Sequence, residues 1–233
     1  MFKPMFATAA MLAGLSAPAL AEPMSFFQVE GVRYDAAVTA PEEAFGFEIG
    51  ERPVRHDQMV AYLRELAEGS DRISVETIGY SHERRPILFF VVTSPENQAR
   101  IDEIREAHLA RRRGEAAPED TPMVLWANFG VHGAESSAMD AAIPTLYHFA
   151  AAQGEEIEAQ LADTVLLFTA IFNPDGHTRR IDHVNQFWSE NRVTDLDHVQ
   201  HDLWIEARTN HYWFDLNRQW LLLTQPESQA WIE

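Results

Sequence analysis

"MVLWANFGVHGAESSAMDAAIPTLYHFAAA", Met123 to Ala152, changes its hydrophobic period halfway along. Met123 to Phe129 is an apolar run of strand length, whereas Met139, Ile143, Leu146 and Ala150 recur at helical spacing. "GVHGAES" is where the strand gives way to the helix, and in open α/β sheets ligand sites lie at the carboxyl ends of strands. His132 and Glu135 occupy that junction at i and i+3, so both can turn to one side of the chain. Both are good zinc ligands, and catalytic zinc usually takes three protein ligands and leaves a fourth position open. Taken alone, H-x-x-E is a weak pattern in a chain with ten histidines, and a core-edge histidine bonded to its loop is the simpler explanation. Gly130 and Gly133 beside the histidine allow tight backbone geometry, which favours a site.

The flanking sequence repeats the alternation. Met59, Leu63, Leu66 and Ala67 mark a helix from about Arg55 to Glu68, stopped by Gly69. "RISVETIGY" reads as an edge strand and "PILFFVVT", Pro86 to Thr93, as a buried one. Ser94-Pro95 supplies a cap and first-turn proline for a helix to about Arg112. Pro144 should kink or shorten the helix after His132. "GEEIEAQLAD" is a short helix, "TVLLFTAIF" a fourth strand, and "NPDG", Asn173 to Gly176, a type I turn. From His177 to about Asn210 the periodicity lapses, and it returns with "HYWFDLNRQWLLL", where His211 fits a strand. "TQPESQAWIE" starts a helix with Thr224 as cap and Glu227 in the first turn. Strands alternating with helices imply an α/β domain with a sheet covered on both faces.

Composition narrows the function. Formal charge is −18, so a nucleic-acid partner is excluded over most of the surface. The basic run Arg111 to Arg113 is explained by a helix C-terminus. "MFKPMFATAAMLAGLSAPALA", residues 1–21, has a cation, a short apolar run and an A-x-A site, the pattern of a cleaved signal peptide. Export to the periplasm or beyond follows, with no stable membrane insertion after cleavage. The chain has no cysteine, so its fold cannot rely on disulfides. Residues 22–50 read as a lead-in packed on the main domain, 51–233. Asn217-Arg218 offers an amide and a guanidinium together, a suitable clamp for a carboxylate, although Arg218 could equally pair with a surface acid.

In order, "IGYSHERRPI", "GVHGAES", "FNPDG", "FDLNRQW" and "QPESQA" resemble the zinc carboxypeptidases, the carboxypeptidase A-like metallopeptidases, over about Arg55 to Glu233. The lead sequence and "TNHYWFDLNR" look most like an exported bacterial branch. The resemblance implies a mixed, mostly parallel sheet flanked by helices, incomplete at the C-terminus. It implies one zinc ion held by His132 and Glu135, and a peptide C-terminus gripped by Asn217 and Arg218. In this family a third ligand histidine and a base glutamate follow the "PESQA" segment, so the 233 residues are expected to be a fragment with little or no activity. The family also polarises the scissile carbonyl with an arginine between the turn and the Asn-Arg pair. "NQFWSENRV" has Trp188-Ser189 there, which leaves Arg192 as nearest candidate, with Arg179 and Arg180 behind it. Alternatives are a deacylase or cell-wall peptide hydrolase of the same fold, and a non-catalytic module that binds peptide C-termini.

Overall fold

A computed structural model of the chain describes residues 27, 29–191, 193–201 and 206–232. The leader read in residues 1–21 lies outside the described residues. The chain begins with β1 (Arg33–Tyr34), α1 (Pro41–Phe45), α2 (His56–Glu68), β2 (Ile73–Tyr80) and β3 (Pro86–Val92). There follow α3 (Pro95–Gln98), α4 (Ile101–Arg112), β4 (Met123–Asn128), α5 (Ser136–Ala151), β5 (Ala152–Gln153) and α6 (Glu155–Asp163). β6 (Thr164–Thr169), α7 (Pro174–Gln186) and α8 (Pro226–Gln229) complete it, with 3-10 turns at Val199–His201 and Leu216–Arg218.

The sheet is mixed, as expected, in the order β2-β3-β6-β4. It is not mostly parallel: β2–β3 and β3–β6 are antiparallel, and β4–β6 is parallel. The short turn 81–85 makes β2 and β3 a hairpin, which forces the antiparallel sense. β4 and β6 are separated by α5 and α6, and that crossover length permits the parallel sense. β3, between two partners, buries Ile87, Leu88, Phe90 and Val92. β4 departs from the expectation of a strand covered on both faces. It lies at the end of the strand order, and Met123, Val124, Leu125 and Trp126 are all exposed.

One face of the sheet is covered by two helices whose periodicity was legible in the sequence. Met59, Leu63 and Leu66 of α2 and Met139, Ile143 and Leu146 of α5 close over Leu88, Phe90 and Phe168. A buried leucine or methionine in such a layer contributes roughly 2 kcal/mol through burial. Pro144 is buried within α5, which runs unbroken through it to Ala151, so the helix is not shortened. The other face carries aromatic rings: Trp126 lies 5.8 Å from Trp220 and 4.9 Å from Trp231, and Phe172 stacks on Trp220. Phe45 of α1 meets Tyr62 edge-on at 5.1 Å, and Tyr34 stacks on Tyr147, so the segment before α2 packs against α2 and α5.

Two stretches differ from their sequence reading. "NPDG" is not an isolated turn but the start of α7: the Asn173 side chain caps it by accepting from the Gly176 N–H at 3.0 Å, and Pro174 takes the first helical position. Asn-Pro suits a cap and first turn as well as it suits a β-turn. α7 then occupies 174–186, where no helix was expected, because Ile181 and Val184 alone carry its apolar period while His177 and Asp175 are buried polar residues. His211 sits in a turn rather than a strand. Ser94 does cap, accepting from Asn97 N–H, although the helix it starts is split into α3 and α4. No helix of the described residues is long and apolar enough to cross a membrane.

Candidate metal centre

Parallel pairing brings the carboxyl ends of β4 and β6 side by side, with Asn128 opposite Thr169. The pairing continues into the loops: Phe129 N–H donates to Thr169, Phe172 N–H to Phe129, and Asn173 N–H to the Gly130 carbonyl at 2.9 Å. The "GVHGAES" and "NPDG" motifs therefore leave the sheet together. Gly130 has φ +67, and Gly133 lies against the first turn of α7, where a Cβ would fall 2.1 Å from the Gly176 carbonyl carbon. Gly176 is closed on its other side by the carbonyls of Ala207 and Thr209, 2.5 and 2.6 Å from where its Cβ would be. Asn173 Nδ2 meanwhile donates to the Arg208 carbonyl at 3.1 Å. Two glycines and one asparagine thus stack three chain segments, and that stacking sets Arg208 beside His132.

His132 is buried, and its Nδ1 lies 2.9 Å from Glu135 Oε1 at the exposed start of α5. Asp215 Oδ1 lies 3.4 Å from the other ring nitrogen, Nε2, which is buried and has no hydrogen-bond partner among the described residues. Arg208 grips Asp215 Oδ2 with Nε and Nη2, at 3.2 and 3.1 Å, and brings Nη1 to 3.3 Å from His132 Nδ1. Burial opposes the Asp215 charge, but the Asn217 N–H and Arg208 outweigh it and hold the carboxyl below its usual range.

With Glu135 ionised, neither protonation state of His132 Nδ1 suits both of its neighbours. A bare Nδ1 accepts from Arg208 but turns a lone pair toward a carboxylate oxygen. A protonated Nδ1 donates to Glu135 but opposes the Arg208 N–H. A cation shared by Nδ1 and Glu135 would suit both lone pairs, and Nε2–H would then face Asp215, the carboxylate behind the imidazole that metal-binding histidines commonly have. The donor set fits zinc.

A second group, Glu83, Asp175 and His211, also brings potential ligand atoms within 4.8 Å of one another. Its charge is already met: the buried Asp175 accepts from Ser81 Oγ at 2.6 Å, from Glu83 N–H at 3.2 Å and from Arg85 Nη1 at 2.8 Å. Arg85 also bonds Glu83, whose other oxygen lies 2.9 Å from His211 Nδ1. This network ties the "SHERR" turn to "NPDG" and engages His211 with Glu83.

Of the residues picked from the sequence, the structure brings His132 and Glu135 together and places Asn217 and Arg218 on the 3-10 turn immediately after Asp215. Both are exposed; Asn217 Oδ1 accepts from Trp220 Nε1, and Arg218 has no ion pair among the described residues. Arg192 lies outside the described residues. Arg179 is occupied in holding the carbonyls of Glu206 and Asn210. The arginine that reaches the histidine is Arg208, which sequence reading missed, as it missed Asp215 two residues before the clamp. It also missed Asn210, whose side chain accepts from the Tyr212 and Phe214 N–H groups and donates to Gln225 and Glu227. Glu227, read as a first-turn acid, is fully buried, and burial raises its pKa.

The zinc carboxypeptidase family profile matches residues 59–231. Among solved structures, a carboxypeptidase A from Helicoverpa armigera is 16% identical over 84% of this chain and 45% of its own length, with a TM-score of 0.49. A metallo-carboxypeptidase from Burkholderia cenocepacia is 19% identical over 77% of this chain and 37% of its own, with a TM-score of 0.47. The chain thus spans less than half the length of these two. A comparison with curated protein sequences finds no match. On the family profile, the chain belongs to the zinc carboxypeptidase family.

Proposed function

We propose that this member of the zinc carboxypeptidase family carries the metal-binding and carboxylate-gripping part of an exported enzyme that releases C-terminal residues from peptides. The observation behind this reading is the convergence of His132 Nδ1 and Glu135, with Asp215 behind the imidazole and Asn217-Arg218 next along the same turn. Zinc, when bound, supplies Lewis-acid polarisation of the scissile carbonyl and lowers the pKa of water. His132 and Glu135 would hold it. Asp215 lies 3.4 Å from Nε2, behind the imidazole, which leaves Nδ1, facing Glu135, as the ligand atom. Asn217 and Arg218 receive the peptide's terminal carboxylate as a bidentate acceptor, which fixes the last peptide bond relative to the metal. Arg208, beside His132, takes the oxyanion-stabilising role for which Arg192 was the sequence candidate.

Residues 51–233 are read as this catalytic part, preceded by a lead-in and a cleaved signal that directs it to the periplasm or beyond. Catalytic zinc takes three protein ligands, and among the described residues His132 and Glu135 are the two that converge here, so the 233 residues are expected to hydrolyse peptides slowly or not at all. The grip is tested by binding. Acetylated dipeptides with a free C-terminus should bind, their C-terminal amides should bind at least about tenfold more weakly, and Arg218→Ala should abolish the difference. Equal binding of acid and amide by the unaltered chain would exclude the carboxypeptidase reading and favour a deacylase acting on another group.

A further inference from the structure

We propose that Arg208 competes with the metal for His132 Nδ1, so that zinc binding and release of the Arg208 guanidinium are one coupled event. The inference rests on His132 and Glu135 being the zinc ligands. Arg208 is anchored at its backbone: Asn173 Nδ2 holds its carbonyl at 3.1 Å, and its neighbours Ala207 and Thr209 are seated on Gly176. The Cα therefore cannot retreat, and only the side chain is free to move. Nε and Nη2 form a fork on Asp215 Oδ2, which leaves Nη1 as the one tooth that reaches His132, at 3.3 Å from Nδ1.

A zinc ion would need the same lone pair at about 2.0–2.1 Å. An N–H directed at Nδ1 from 3.3 Å and a zinc–nitrogen bond cannot coexist, because both use one lone pair and the two cations would lie within a few ångströms of each other. Zinc must therefore turn Nη1 away, and the Asp215 fork is the pivot about which it turns. The side chain is 43% exposed, so the displaced tooth has solvent to move into. Coupling of this kind is reciprocal: a substrate oxygen that draws Nη1 away from His132 strengthens zinc binding by the same factor by which zinc strengthens its own. Metal occupancy and presentation of the oxyanion-stabilising charge are then linked through one side chain.

The test is zinc affinity, measured by competition with a chromophoric chelator, in the 233-residue chain and in Arg208→Gln, which keeps a donor but removes the charge. Arg208→Gln is expected to bind zinc about tenfold more tightly, with the gap narrowing as salt screens the unaltered chain. Equal or weaker binding by a folded Arg208→Gln overturns the coupling. If that variant does not fold, the Arg208 Nε–H resonance of 15N-arginine-labelled chain gives the answer instead. It should shift with zinc at one equivalent and stay still in Glu135→Ala, and a resonance indifferent to bound zinc overturns the proposal. Zinc binding that survives His132→Ala overturns the ligand assignment itself, and is thereby distinguished from failure of the coupling alone.

Discussion

Gly133 and Gly176 touch backbone to backbone: a Cβ on Gly133 would lie 2.1 Å from the Gly176 carbonyl carbon and 2.2 Å from the His177 nitrogen. Neither neighbour is a flexible side chain tip, so nothing can yield without moving the start of α7. The contact locks the loop bearing His132 to the helix that seats Arg208.

Gly133→Ala should therefore cost more than an ordinary overpacking substitution, at least about 3 kcal/mol in urea unfolding. It should also weaken zinc binding, because His132 is the adjacent residue. Gly176→Ala should behave alike, since its Cβ would meet the Ala207 and Thr209 carbonyls at 2.5 and 2.6 Å. A stable Gly133→Ala chain with unaltered zinc affinity would show that the contact does not set the site.

Asp175→Asn removes one partner of a buried ion pair and leaves Arg85 facing an uncharged amide. Loss of about 2 kcal/mol is expected, because a buried charge-assisted hydrogen bond is weakened while Glu83 still meets part of the Arg85 charge. Ser81→Ala, which deletes one hydrogen bond to the same carboxylate, should cost about 1 kcal/mol. Equal effects from the two would argue that Glu83 alone suffices to meet the Arg85 charge.

Stability should depend on pH in two opposing ways. Burial, reinforced by Arg85, lowers His56 from 6.5 to about 4, so the unfolded chain takes up a proton at pH values where the folded chain does not. That difference removes stability as pH falls from 6.5 toward 4. Burial raises the Asp140 carboxyl from 3.8 to about 7, so the unfolded chain ionises first and stability is lost as pH rises between those values. In urea titrations, His56→Gln should flatten the acid side of the profile and Asp140→Asn the neutral side. Unchanged slopes in both variants would mean that these groups reach water in the folded state.

The covered face of the sheet could be read from the sequence because its signals are periodic and local: α2 and α5 show their apolar stripes, and β3 is a continuous apolar run. His132 and Glu135 were visible for the same reason, as a short-range pattern at a strand end. α7 was not, because its buried face is made of Pro174, Asp175, Gly176 and His177 as much as of Ile181 and Val184, and buried polar residues carry no hydrophobic period. Arg208 left no local trace. Its place depends on Gly176 and Asn173, more than thirty residues upstream, and on a fork to Asp215 that only the folded chain creates. Asp215 did have a signal, an acid two residues before the Asn-Arg pair, but a lone carboxylate in so acidic a chain does not stand out. The burial of Glu227 left no signal either: the four-residue α8 is too short to show which of its faces is inward.

His132 and Glu135 are proposed to share a zinc ion. The most direct test is metal content after dialysis against limiting free zinc, for the unaltered chain, His132→Ala and Glu135→Ala. The expected result is up to one zinc per unaltered chain and at least a tenfold loss of affinity in each variant, with Glu83→Ala and His211→Ala, at the other ligand-like cluster, unchanged. Zinc retained in His132→Ala and Glu135→Ala but lost in Glu83→Ala or His211→Ala would contradict the account and move the metal to the Asp175 network.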